Sequence, residues 1–177
     1  MQCEPRGGFV PALIVLGARL AIASSTATRE IPVEEFFAGP GRNTLQPGEL
    51  LVSVRIPAQP GHSAAYYHRF IPRNEMDIAV ASSGVRIELG ADGSTIEHAR
   101  VALGAVAATP IMVPEAVAAL VGQPAGAEAF AAAGEAAAAA AKPIDDMRGG
   151  IAQRKHLAKI LTIRALEGAL QRYREAR

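Results

Sequence analysis

The alternation of apolar and polar positions predicts strands in the first two thirds of the chain and helices in the last third. After the Pro47-Gly48 turn, large apolar residues in Leu50–Ile56 alternate with other side chains until Pro57, which predicts a strand with one buried face. The bend Gly39-Pro40-Gly41 excludes helix, because proline fixes φ and glycine supplies left-handed geometry. The same reasoning predicts a helix and then two strands before this bend: Pro11–Leu16, Arg19–Ser24 and Glu30–Phe37.

The remaining pattern predicts a second unit beyond the linker Pro57–Ser63. Three strands follow each other there, with an Asp-Gly hairpin turn between the last two: Ala64–Phe70, Ile78–Leu89 and Thr95–Leu103. Three helices complete the chain: Pro114–Gly122, Ala125–Lys142 and Ile151–Arg174. The predicted fold class is therefore α+β, a three-stranded antiparallel sheet with three helices packed on one face.

Composition narrows the function classes. The net charge of +1 in 177 residues does not favour a nucleic-acid or anionic-membrane partner, and there is no tryptophan. A single cysteine, Cys3, excludes an internal disulfide and a cysteine-based metal cluster within the chain. The four histidines lack metal-ligand spacing. The apolar run Phe9–Leu16 is too short to span a membrane, and a cytoplasmic location is simpler than a signal peptide.

The order of several spaced motifs resembles a known family. The sequence FF-x-G-P-G-R-x-x-L-x-P-x-E-L-L-x-x-x-x-I-P, within Glu34–Pro57, is similar to the FAD-carrying subunit of the molybdenum hydroxylases, which include carbon monoxide and xanthine dehydrogenases. The similarity continues through further motifs in the family's order: Tyr67-x-Arg69, Arg73, Asp77-Ile78-Ala79, Ala102–Ala107 and Pro143–Asp146. The resemblance implies an FAD cofactor. It also implies two partners, an iron–sulfur subunit and a molybdopterin subunit, and self-association of the chain stays open.

The resemblance points to four cofactor-binding residues. Leu50 and Leu51 match an apolar pair that packs beside the flavin ring in the family, although an ordinary buried strand pair is the alternative. Arg69 stands where the family more often has a lysine that approaches the flavin, and Asp77 belongs to a loop near the ring edge. From the residues alone, this loop is better explained as a solvated turn with an Arg–carboxylate pair. No residue is predicted to be catalytic, and none to bind a metal.

Two departures from the family pattern concern the cofactor. Gly8 stands where the family usually has an aspartate, and nothing before Phe9 resembles the glycine-rich loops that hold the FAD pyrophosphate. We therefore predict that residues 1–58 are the end of a flavin domain and that residues 59–177 are a C-terminal domain. The predicted function is part of an FAD subunit that relays electrons from iron–sulfur clusters. The alternative is an assembly or docking module that no longer binds flavin.

Two other charged clusters have simpler explanations. Asp145-Asp146 could form an acid/base dyad, but carboxylates between helices more often serve as caps. Residues 148–177 carry eight Lys/Arg against two Glu, as a solvated helix face does. A docking surface for an acidic partner is the alternative for this helix.

Overall fold

The computed structural model describes residues 8–73 and 78–176 and confirms the α+β class. Helix α1 (Val10–Val15) precedes a three-stranded antiparallel sheet in the order β2-β1-β5. Its strands are β1 (Arg19–Ala23), β2 (Thr28–Pro32) and β5 (Leu50–Arg55). A 3₁₀ turn (Val33–Phe36) and the small hairpin of β3 (Phe37–Gly39) and β4 (Arg42–Asn43) separate β2 from β5. The predicted strand over Glu30–Phe37 is therefore wrong over Val33–Phe36.

The second sheet contains the predicted meander and one additional strand. Its order is β6-β7-β8-β9, and every neighbouring pair is antiparallel. The strands are β6 (Ser63–Phe70), β7 (Ala81–Leu89), β8 (Ile96–Gly104) and the two-residue β9 (Ile111–Met112). The sequence does not reveal β9, because two residues are too few to show a period. Helices α2 (Pro114–Leu120), α3 (Ala127–Ala140) and α4 (Ile151–Glu175) follow.

The main core lies between one face of this sheet and the three helices. Alternate residues of β7 and β8 point into it, including Val85, Ile87, Val101 and Leu103, all inaccessible to solvent. Alanines of α3 and α4 occupy the facing positions, so the helices approach closely. The predicted helical layer on one face of the sheet is thus present.

The opposite face of the same sheet is covered by α1, which comes from the first part of the chain. Gly84 of β7 makes this possible, because a Cβ there would lie 2.7 Å from the carbonyl oxygen of Pro11. Ala102 of β8 belongs to a second, smaller core with Ile14, Val15 and Leu20. The four-stranded sheet is therefore packed on both faces, and the proposed division at residues 58/59 stays a prediction.

The prediction of a buried face on Leu50–Ile56 is wrong. Leu50, Val52 and Val54 are 72%, 65% and 45% exposed, and only Leu51 packs against the second core. The reason is an irregularity in the pairing of β1 with β5, where Ala21 pairs with Ser53 but Ile22 pairs with Leu51. The extra residue shifts the alternation, as a β-bulge does. Among the described strands β5 pairs with β1 alone, so its other edge is open.

Candidate functional site

Arg69 and Tyr67 lie on the α1 side of the four-stranded sheet. Tyr67 pairs with Gly84 and Arg69 with Ser82, and cross-strand partners share a face. Gly84 in turn lies against the backbone of Pro11. The guanidinium Nη1 of Arg69 is 3.9 Å from the position that a Cβ on Gly8 would take, just before α1. The end of β6 and the start of α1 therefore meet at Arg69.

Tyr67 contributes a buried hydroxyl to this junction. Its oxygen is shielded from solvent, and the Ser82 side chain lies within hydrogen-bonding range, but the geometry is too poor for a full hydrogen bond. Burial raises the pKa of Tyr67, while Ser82 and the charge of Arg69 oppose that shift. A buried hydroxyl with so poor a hydrogen bond can still exchange a bond with a water or ligand that reaches it.

The other side of β6 faces α4 and is basic. The ring of Tyr66 lies against Gly168, and the guanidinium of Arg172 stacks 4.6 Å from its centroid. Burial, followed by the charge of Arg164, lowers the pKa of His68. Because these residues belong to the face that packs on α4, they are separated by the sheet from Arg69 and Tyr67.

The structure separates the two leucines that the resemblance assigned to the flavin. Leu51 packs against the second core, with α1 residues Ile14 and Val15, whereas Leu50 is 72% exposed. Successive residues of a strand point to opposite faces, so these two cannot act together as one apolar pair. Helix α1 links the candidates, since its body packs near Leu51 and its start lies beside Arg69. Asp77 lies outside the described residues.

Asp145 and Asp146 do not form an acid/base dyad. Asp145 Oδ1 accepts the backbone N–H of Ile151, 2.9 Å away, which satisfies one of the unpaired donors at the start of α4. Asp146 Oδ1 accepts the N–H of Arg148 at 2.9 Å and Nη2 of Arg154 at 2.7 Å. The capping interpretation is confirmed for Asp145, while Asp146 pairs with a buried cation that the sequence pattern did not reveal.

The described part of the chain contains neither a metal-ligand cluster nor a membrane-spanning helix. No group of three or more histidine, cysteine or acidic side chains within residues 8–73 and 78–176 could hold a metal ion. In the same ranges, no helix is long and apolar enough to cross a membrane.

The junction between α1 and β6 fits part of a flavin. The cation of Arg69 and the buried, poorly hydrogen-bonded hydroxyl of Tyr67 lie together there, and the exposed Phe9 follows Gly8 in the chain. An isoalloxazine ring is a flat aromatic system with polar edges, and such ligands are held by apolar surface with a few well-placed polar groups. The residues present are therefore compatible with the FAD that the sequence resemblance implies.

The chain is similar to subunits of known flavin-containing oxidoreductases. The profile of the CO dehydrogenase flavoprotein C-terminal domain matches residues 65–169, and that of the FAD binding domain in molybdopterin dehydrogenase matches residues 1–59. The carbon monoxide dehydrogenase medium chain of Hydrogenophaga pseudoflava is 31% identical over 167 residues, which are 94% of this chain and 57% of that protein. The corresponding Afipia carboxidovorans protein is 32% identical over 168 residues, with the same coverage.

Solved structures show the same similarity. A carbon monoxide dehydrogenase from Hydrogenophaga pseudoflava superposes with a TM-score of 0.90 and 29% identity, covering 97% of this chain and 58% of that one. A quinoline 2-oxidoreductase from Pseudomonas putida 86 has a TM-score of 0.85 and 28% identity, covering 97% and 59%. The chain thus spans a little more than half the length of the relatives it matches.

Proposed function

Because the chain belongs to the family of FAD-binding medium subunits of molybdenum hydroxylases, we propose that its α1–β6 junction holds the ring of FAD in an electron-transferring complex. The observation that carries the proposal is that Arg69 lies beside Gly8, at the start of α1, and on the same face as the buried Tyr67 hydroxyl. The partners that we propose are an iron–sulfur subunit and a molybdopterin subunit. When bound, FAD would supply the redox chemistry, accepting electrons and passing them on.

The chain's own residues would bind and orient the cofactor. The guanidinium of Arg69 offers planar N–H donors and a positive charge to a carbonyl edge or a phosphate. The hydroxyl of Tyr67, buried on the same face, would donate or accept one hydrogen bond. Leu51 would act indirectly, because it packs against the core that fixes α1.

A flavin titration of the 177-residue protein tests this proposal. We expect quenching of flavin fluorescence that saturates with FAD and is weaker with FMN and riboflavin. Arg69→Ala should weaken FAD binding by about tenfold, corresponding to the loss of one charge-assisted contact. Arg174→Ala, at the last turn of α4, removes an exposed cation elsewhere and is the matched control. Equal effects of the two substitutions, or no FAD binding at high micromolar concentration, would contradict the proposal.

A docking module without flavin is the second candidate function. The exposed apolar residues of β5, together with its open edge, favour it, since such an edge can pair with a strand of another chain. Under this alternative, pull-down with iron–sulfur and molybdopterin subunits would recover a complex, and Arg69→Ala would leave that complex unchanged. Recovery of neither subunit would contradict it.

A further inference from the structure

Arg154 is a charged residue with an almost completely buried side chain. It lies in the first turn of α4 and is 2% exposed. Burying a cation is costly unless its donors are hydrogen-bonded. Arginine is therefore almost never fully buried unless it is paired. None of the flavin-facing residues named above contacts it directly.

The guanidinium of Arg154 ties three separate segments together. Nη1 donates to the carbonyl oxygens of Val80 at 2.7 Å and Ala105 at 3.0 Å. Nε donates to the carbonyl of Gly149 at 3.2 Å, and Nη2 pairs with Asp146. Ala105 has φ of 63°, the one non-glycine residue with positive φ in the described parts of the chain. The side chain therefore holds the residue before β7, the loop after β8 and the loop before α4.

The contact with Val80 leads toward the candidate flavin site. The N–H of Val80 donates to the carbonyl of Phe70 at 3.0 Å, which closes the connection between β6 and β7. Phe70 directly follows Arg69, whose Nη1 lies beside Gly8. Arg154 thus holds the carbonyl group of Val80, and the N–H group of Val80 in turn holds the last residue of β6.

We propose that Arg154 is a positioning residue, which holds the end of β6 so that Arg69 faces the cofactor junction. The proposal rests on the function proposed above. Arginine suits this role because its planar fork can donate to several carbonyls in fixed directions, whereas lysine offers one compact ammonium. Loss of the guanidinium leaves the carbonyls of Val80 and Ala105 buried without a donor, so Val80 and the end of β6 should shift.

The test compares Arg154→Met and Arg154→Lys with a control on the same helix. Leu161→Ala removes an uncharged core side chain from α4 and leaves the Arg154 hydrogen bonds to Val80, Ala105 and Gly149 in place. FAD affinity is measured for each variant at a temperature where all are folded. We expect Arg154→Met to raise the Kd by about tenfold, Arg154→Lys to raise it less, and Leu161→Ala to leave it nearly unchanged.

A double-mutant cycle separates positioning from general destabilisation. If Arg154 acts through Arg69, Arg154→Met should have little further effect on the Kd once Arg69→Ala is present. Additive effects of the two substitutions, or an unchanged Kd in Arg154→Met, would overturn the proposal.

A measurement without flavin keeps this proposal distinct from the function it rests on. If the unaltered protein does not bind FAD, the proposed function fails. The positioning role is then decided by the NMR resonance of the Arg69 side-chain Nε–H in the protein alone. A shift in Arg154→Met but not in Leu161→Ala supports the role, and no shift in Arg154→Met overturns it.

Discussion

Gly84 and Gly104 allow α1 to lie directly on the four-stranded sheet. A Cβ on Gly84 would come within 2.7 Å of the Pro11 carbonyl oxygen, and one on Gly104 within 2.9 Å of Pro11 Cγ. A backbone carbonyl cannot move aside as a flexible side chain can. The position of α1, and with it the α1–β6 junction, therefore depends on the missing side chain at residue 84.

Gly84→Ala tests this close approach. Gly84→Ala should lower the free energy of unfolding by about 1–3 kcal/mol, the usual cost of overpacking, and should displace α1. Chemical denaturation measures the loss, and reduced FAD affinity would report the displacement. Gly61→Ala is the control, because a Cβ there meets nothing within 4 Å. Equal stability of the two variants would contradict the assigned contact.

The pair Arg29–Glu49 gives a prediction about pH. Hydrogen bonds from the Arg29 side chain, and then from the Gln46 backbone N–H, hold the pKa of Glu49 at about 2, below its usual 4.5. A carboxyl whose pKa is depressed in the folded state adds stability above its unfolded pKa and loses it as pH falls toward the folded one. The contribution of Glu49 should therefore disappear between about pH 4.5 and pH 2.

Glu49→Gln tests that pH dependence. The substitution should lower the Tm at pH 6, and its difference from the unaltered protein should shrink toward pH 2. Thermal unfolding followed at several pH values gives both curves, and Glu35→Gln, on the exposed side of the 3₁₀ turn, is the control. A constant difference across the range would exclude the assigned pair as its cause.

At the scale of elements, β5 decides what the first sheet exposes. Its alternation predicted one buried face, but the irregular pairing with β1 turns Leu51 inward and leaves Leu50 outside. A one-residue change in register exchanges the two faces of a strand. This strand therefore combines one inward-facing leucine with an exposed apolar edge that another strand could cover.

The two leucines give a direct comparison. Leu51→Ala should cost about 1–3 kcal/mol, because its side chain packs against the second core, and Leu50→Ala should change stability by less than about 0.5 kcal/mol. Urea denaturation of both variants measures the difference. A larger loss of stability in Leu50→Ala than in Leu51→Ala would mean that Leu50 lies on the buried face, as the sequence pattern predicted.

At the scale of the whole molecule, the two predicted domains share a core. Ala102 of β8 belongs to the cluster formed by α1 and β1, and the Gln59 side chain in the linker donates to the carbonyl of Leu16 at 3.1 Å. Its Oε1 accepts a hydrogen bond from Arg86 of β7 at 2.8 Å.

We therefore expect residues 1–58 and 59–177 to unfold together. Calorimetry should give a single transition with equal calorimetric and van't Hoff enthalpies. Two resolved transitions would instead support independent domains.

The sequence by itself determined the fold class, the meander of β6, β7 and β8, the three later helices and the family. Each of these depends on local signals: periodicity, turn residues and the order of motifs. The resemblance also selected Arg69, and the structure places it beside the start of α1. Such signals can be detected in the sequence because they depend only on residues that are close together in the chain.

Only the tertiary structure decided which surfaces meet. It packed α1 on the second sheet, shifted the register of β5, and buried Arg154 against carbonyls of two distant segments, at Val80 and Ala105. The interactions of Arg154 span up to 74 residues of sequence. No periodicity records such partners, because a side chain's environment depends on the whole packed chain. Which face of a strand is buried depends likewise on what lies against it.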